Sequence, residues 1–238
     1  MSSHFTHQKV LVIGGSRGIG AAIVRRFSKE GADVAFTYAG SKDAADALAA
    51  STGATAIRSD AAVRDEVIGV VKAQGPLDVL VVNAGVAVID DSLAIDPDAV
   101  DRMIDINVRA PYHAAVEAAR QMPDGGRIIV IGSVNGDRMP FAGGAAYALT
   151  KSALQGMARG LARDFGGRGI TVNVVQPGPI DTDMNPHDGP MSGAMHDFMA
   201  IKRHGTADEV AGMVAYLAGP ETRIVTGAMH TIDGGFGA

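Results

Sequence analysis

Cysteine is absent from the 238-residue chain, which excludes disulfides, thiolate catalysis and cysteine-ligated metal. Charge of one sign is not concentrated either. The net charge is −5 and no block of like charges occurs, so broad attraction to a nucleic acid polymer or an anionic membrane is not expected. No apolar run approaches the roughly 20 residues that span a bilayer. The stretch Met1–Lys9 has no apolar core of signal-peptide length, so a cytoplasmic location is expected. The seven histidines contain no HExxH or comparable pair, which argues against a metal site. His187, His196 and His204 read as solvated side chains.

What is present suits a soluble globular enzyme: 47% of residues are apolar and 20% charged. Short β-rich runs alternate with longer Ala-rich helical segments. The strands are read as Val10–Ile13, Val34–Thr37, Ala54–Ile57, Val79–Val82, Arg127–Ile131, Thr171–Val175 and Val225–His230. Most are apolar on consecutive positions, as expected when helices cover both faces of a parallel sheet. Right-handed crossovers then give an α/β fold with a doubly wound, mostly parallel seven-stranded sheet. No repeat or linker interrupts it, so residues 1–238 form one domain. The stretch from about 182 to 203 is irregular, mixing Pro186, Gly189, Pro190 and Gly193 with Met184, Met191, Met195, Phe198 and Met199. It reads as a substrate lid whose soft Met side chains line a pocket.

The first strand runs directly into Gly14, Ser16, Arg17, Gly18, Ile19 and Gly20, and then into a helical run from Ala21. Glycine is needed there so that the backbone can turn with positive φ and approach a phosphate closely. The following helix start offers free N–H donors to a pyrophosphate. This is the dinucleotide turn of a Rossmann fold. NAD binders carry an acid at the end of the second strand. Here that position is Tyr38, followed by Ser41 and Lys42. The missing acid, with Lys42 and Arg17 as cations, points to NADP(H) over NAD. The same turn also spells a Gly-x-Ser-x-Gly nucleophile elbow, with Asp181 and His230 following in hydrolase order. That alternative leaves a second constellation unexplained.

The second constellation is Ser133, Tyr147 and Lys151. A tyrosine acting as general acid–base near neutrality must come down from a reference pKa of about 10, a change of about 3 units or roughly 4 kcal/mol. Lys151, one helical turn from Tyr147, is placed to supply part of that. Ser133 closes the fifth strand, where ligands bind in such sheets. Asn107 is a polar residue inside an apolar helix, and Asn83-Ala84-Gly85 ends the fourth strand.

Taken together, Gly14-x3-Gly18-x-Gly20, Asp60, Asn83-Ala84-Gly85, Asn107, Ser133, Tyr147-x3-Lys151 and Pro177-Gly178 resemble the short-chain dehydrogenase/reductase family from about Lys9 onward. Two positions depart from it: Ile13 stands where the family usually has Thr, and Val82 where it often has Asn. The resemblance implies a carbonyl substrate, with Tyr147 protonating its oxygen, Ser133 hydrogen-bonding it, and Lys151 holding the nicotinamide ribose and lowering the Tyr147 pKa. Asn107 would anchor a water. Asp60 and Ala61 would meet adenine; Ile180 and Thr182 would meet the carboxamide. A homotetramer built through the long helices and the C-terminal strand is also implied, with the apolar ending Phe236-Gly237-Ala238 suited to burial there. Longer stretches, Thr37–Ala45, Gly132–Pro140, Met157–Phe165 and Ala228–Gly234, resemble one bacterial branch of the family that binds cyclic di-GMP. That likeness implies a second reading, in which the scaffold promotes biofilm dispersal by sequestering cyclic di-GMP.

Overall fold

A computed structural model of the chain describes residues 4–238. The first three residues of the stretch lacking a signal-peptide core lie outside it. Strands β1 (Lys9–Ile13), β2 (Asp33–Tyr38), β3 (Thr55–Arg58), β4 (Val79–Val82), β5 (Arg127–Ile131) and β6 (Thr171–Pro177) alternate with helices. The helices are α1 (Gly18–Lys29), α2 (Lys42–Thr52), α3 (Arg64–Gln74), α4 (Pro97–Ile104), α5 (Ala110–Gln121) and α6 (Ala145–Phe165). Strands β7 (Ile180–Asp181) and β8 (Gly205–Thr206), helices α7 (Ser192–Phe198) and α8 (Ala207–Ala218), and β9 (Met229–Ile232) complete the chain.

The main sheet has seven strands in the order β3-β2-β1-β4-β5-β6-β9, and every pairing is parallel. Consecutive apolar residues within a strand face opposite layers. Val10 and Val12 join Ile23, Phe27, Val210 and Val214 of α1 and α8. Leu11 and Ile13 join Val67, Val71, Ala114 and Leu161 of α3, α5 and α6. Strands buried on both faces are mostly apolar on consecutive positions, and the polar residues they do hold, such as Asn173, are hydrogen-bonded within the fold. The chain leaves β1 in one direction and β4 in the other, so a crevice opens at the carboxyl ends of these two strands.

Two expectations are corrected here. The last strand is Met229–Ile232, not Val225–His230, because Val225 to Gly227 form the approach to it: Val225 N–H bonds Thr222 O, and Gly227 has φ 68°. The irregular stretch is also framed by a short parallel pair, β7 with β8, which had no sequence signal because each strand has only two residues. Helix α8 then starts on a capping box between Thr206 and Glu209. Among the described residues, no helix is long and apolar enough to cross a membrane.

Candidate active site

A cavity of about 570 Å³ occupies the crevice and extends from Tyr38 and Ser41 at one end to Tyr147 and Phe236 at the other. Its floor is the glycine turn. Gly14 has φ 80°, and a Cβ there would lie 2.6 Å from the Ala84 backbone, so the β1 and β4 termini pack too closely for any side chain. Asn83 Nδ2 donates to Gly14 O at 2.7 Å and locks the two termini together. Ile13, the departure from the family pattern, is buried in the apolar layer and offers no hydroxyl. Thr37 holds the turn from the other side: Gly14 N–H donates to its Oγ1 and Gly15 N–H to its carbonyl, both at 2.9 Å.

Most of the expected cofactor residues line this one cavity: Gly14, Ser16, Arg17, Gly18 and Ile19, with Tyr38 and Ser41, Asp60 and Ala61, Asn83 to Gly85, Tyr147 and Lys151, and Pro177, Gly178, Ile180 and Thr182. Three expected residues do not. Gly20 lies beneath the turn, where a Cβ would come within 2.1 Å of Gly14 O. Lys42 folds along α2 onto Asp46, its i+4 neighbour, which raises its pKa. Asn107 is buried behind the wall.

Asn107 belongs to a single π-helical turn, Asp105–Arg109, between α4 and α5. Its Oδ1 accepts from Val86 N–H at 2.9 Å, while Nδ2 donates to Val86 O at 2.8 Å and to Thr150 Oγ1 at 3.0 Å. Both amide hydrogens are therefore used. The side chain ties the β4 exit to α6.

Ser133 follows β5 and caps a short 3₁₀ turn, accepting from Asn135 N–H at 3.1 Å. Lys151 is 6% exposed; its Nζ donates to Ile131 O at 3.1 Å and lies 5.8 Å from the Tyr147 ring centre. Burial pushes its pKa down to about 8. Burial also raises the Tyr147 pKa above 10, while a hydrogen bond with Ser133 pulls it the other way. With its Nζ 5.8 Å from the Tyr147 ring centre, a protonated Lys151 places a positive charge where it favours the phenolate, as the Ser133 hydrogen bond also does.

Residues that the sequence reading missed include Arg102, which lines the cavity and pairs with Asp60 at 3.1 Å. Ala62 N–H first, and Arg102 as well, hold the Asp60 carboxyl below its usual range. No local pattern marks an arginine on α4 as a partner of a residue 42 positions away. The cavity that Tyr147 enters also has apolar lining from Ile89, Val134, Phe141, Met184, Met195 and Phe236. Met184 and Met195 of the irregular stretch are among these residues, whereas Met199 is buried with Val134 and Phe236. The hydrolase alternative fails on partners, because Asp181 is engaged by His187, through its main-chain N–H at 3.0 Å and its ring at 3.3 Å.

Nor is His204 solvated. It is 5% exposed, and its Nδ1 lies 2.8 Å from His196 Nε2, with Nε2 buried and unpartnered. Burial first, and then the neighbouring His196, push its pKa below 6.5 against the opposing pull of Asp181. A depressed histidine pKa means the unfolded chain takes up the proton first. The stability from neutral His204 is therefore complete above about pH 6.5 and is lost as the pH falls below it. The urea midpoint is expected to drop between pH 7.5 and 5.5, and to drop less in His204→Gln; equal drops in the two proteins would refute the assignment.

The family model described as enoyl-(acyl carrier protein) reductase matches residues 13–237. The chain is 70% identical to the cyclic-di-GMP-binding biofilm dispersal mediator protein of Escherichia coli K12, over 98% of this chain and 99% of that one. It is 37% identical to the 3-oxoacyl-[acyl-carrier-protein] reductase MabA of Mycobacterium tuberculosis H37Rv, over 98% of this chain and 94% of the relative. The crystal structure of BdcA in complex with NADPH superimposes with a TM-score of 0.98 at 70% identity, covering 99% of this chain and 96% of that one. The chain belongs to the short-chain dehydrogenase/reductase family.

Proposed function

We propose that the protein is an NADP(H)-dependent reductase that converts a small ketone or other carbonyl to an alcohol. The observation that carries this is the joining of Ser133, Tyr147 and Lys151 to the glycine turn within one cavity. NADPH, when bound there, supplies the hydride. The cradle fits such a group: the turn admits no side chain at Gly14, and Asn83 fixes it against β4. Arg17 and Ser41 would hold the 2′-phosphate, Asp60 and Ala61 the adenine, Ile180 and Thr182 the carboxamide, and Lys151 the ribose. Tyr147 gives its proton to the substrate oxygen as charge develops on it, and Ser133 donates a hydrogen bond to the same oxygen. A buried, protonated phenol is the correct starting state for this direction. The family likeness also supports a homotetramer built through α5, α6 and β9.

The test is a fluorescence titration with NADPH and NADH, followed by turnover on a ketone panel. NADPH is expected to bind at least tenfold more tightly, since a charge-assisted hydrogen bond contributes about 1.5–3 kcal/mol. Arg17→Ala is expected to remove most of that preference. Its present partner, Asp183, lies 3.6 Å away and both side chains are largely exposed, so the guanidinium is free to swing to a phosphate. Equal affinities for NADH and NADPH would sink the phosphate assignment.

A second reading is favoured by the 70% identical relative named for cyclic di-GMP binding. In it the same cavity captures cyclic di-GMP, a phosphorylated dinucleotide, and removes it from signalling. Competition decides between the two. Displacement of NADPH by micromolar cyclic di-GMP supports capture, whereas absence of both heat and displacement removes it.

A further inference from the structure

Phe236 was read as an ending suited to a subunit interface, yet its own chain buries it to 3% exposure. It lines the cavity, packed with Val134, the residue after Ser133. The tail arrives there by a sharp reversal after β9. Gly234 and Gly235 have φ of 63° and 81°, values that side chains rarely adopt. Asp233 fastens the reversal by accepting Gly235 N–H at 2.9 Å and Gly237 N–H at 2.7 Å.

The ring is then held from several sides. Val134, the residue after Ser133, packs on it together with Met195 and Met199. Phe198 of α7 meets it edge-on, with ring centres 5.8 Å apart. Arg138 completes the clamp: its Nη1 donates to Phe236 O at 3.1 Å and to Ala238 O at 2.9 Å, and its guanidinium lies over the Phe198 ring at 5.8 Å. Arg138 follows the Ser133 turn directly, so one rigid segment carries both the oxyanion donor and the anchor of the wall facing it.

We infer that Phe236 is a specificity-determining residue that limits the size of the carbonyl substrate, and that Arg138 is the positioning residue that fixes it. The inference rests on the reductase reading. The favoured substrate is a compact, uncharged ketone whose far substituent ends against this ring. The apolar lining of the cavity includes Ile89, Val134, Phe141, Met184, Met195 and Phe236, and its cations are Lys151, Arg17 and Arg102, the two arginines being paired with Asp183 and Asp60. A substrate carboxylate or phosphate would find no counter-ion except the lysine assigned to the ribose.

The experiment compares kcat/KM for 2-butanone and butyrophenone with NADPH in the full chain. The expected ratio favours the small ketone at least tenfold in the parent protein, since single groups in apolar pockets shift such ratios 10–200-fold. Phe236→Ala is expected to move the ratio at least tenfold toward butyrophenone. Arg138→Met is expected to move it in the same direction by a smaller factor, with Arg138→Lys partly restoring it. The double variant is expected to match Phe236→Ala alone, because a clamp has nothing to hold once the ring is gone. A general loss of fold lowers both rates and leaves the ratio unmoved, as does a purely structural Arg138. An active parent whose ratio is indifferent to Phe236→Ala overturns the size filter, whereas a parent that reduces neither ketone overturns the reductase reading first.

Discussion

Tyr147→Phe is expected to lower kcat for ketone reduction by at least a thousandfold while changing the NADPH dissociation constant less than about threefold. General acid catalysis typically contributes 10²- to 10⁴-fold. Here the phenol is the group in the apolar end of the cavity placed to donate to a developing alkoxide; Ser133 can hydrogen-bond it but remains a weak acid. In the proposed reading cofactor affinity rests on the turn, on Arg17 and on Lys151, which the substitution leaves in place. A direction-dependent pH profile should accompany it. Burial raises the phenol pKa, so the protonated form needed for reduction persists beyond neutrality. Reduction is therefore expected to be flat from about pH 6 to 8, while alcohol oxidation, which needs the phenolate, rises toward alkaline pH. Stopped-flow turnover beside NADPH fluorescence titration checks both statements. Retained turnover in Tyr147→Phe would falsify the assignment of this residue as the acid.

The layered sheet was legible because its signal is local. Consecutive apolar residues such as Val79–Val82 can be buried on both faces only in a covered parallel sheet, and the glycine turn follows such a run directly. Site residues bound to backbone geometry were legible for the same reason: Gly14, Asn83 and Ser133 all sit at the carboxyl ends of strands. What failed was the choice of side-chain partner, near in the chain as well as far. Lys42 looked free until its i+4 neighbour Asp46 proved to be its partner, and three histidines looked solvated although a hydrogen bond joins His196 to a buried His204. Phe236 looked like an interface residue because nothing in the string of residues signals that Arg138, nearly a hundred positions earlier, holds its carbonyl. Asn107 shows the intermediate case. Its polar character inside an apolar helix was visible, but its partners, Val86 and Thr150, were set by a π-helical turn that periodicity does not reveal.

The second large effect concerns Lys151, where function and stability are expected to oppose each other. A lysine that titrates at about 8 in the folded protein titrates near 10.5 when unfolded, so the fold resists its charge. The linkage follows directly. The destabilisation is complete below about pH 8, where both states are protonated, and it shrinks as the pH rises from 8 to 10.5. The depression of about 2.5 units corresponds to about 3 kcal/mol at neutral pH. Replacing Lys151 by methionine keeps an unbranched chain of similar length, removes the buried cation and loses one hydrogen bond to Ile131 O, worth about 1 kcal/mol. Lys151→Met is thus expected to stabilise the protein by about 1–3 kcal/mol at pH 7, which for a domain of this size is a rise of about 2–10 °C in Tm. The gain is expected to vanish by about pH 10, where the unfolded lysine is losing its proton too and the small remaining charge effect is offset by the lost hydrogen bond. Over the same substitution, kcat should fall at least a hundredfold and NADPH binding should weaken, because the cation assigned to the ribose is gone. Calorimetry of parent and variant at pH 7 and 10 separates this from simple repacking, which would give the same difference at both values. A variant less stable than the parent at pH 7 would mean that the Ile131 hydrogen bond and its surroundings outweigh the cost of burying the charge.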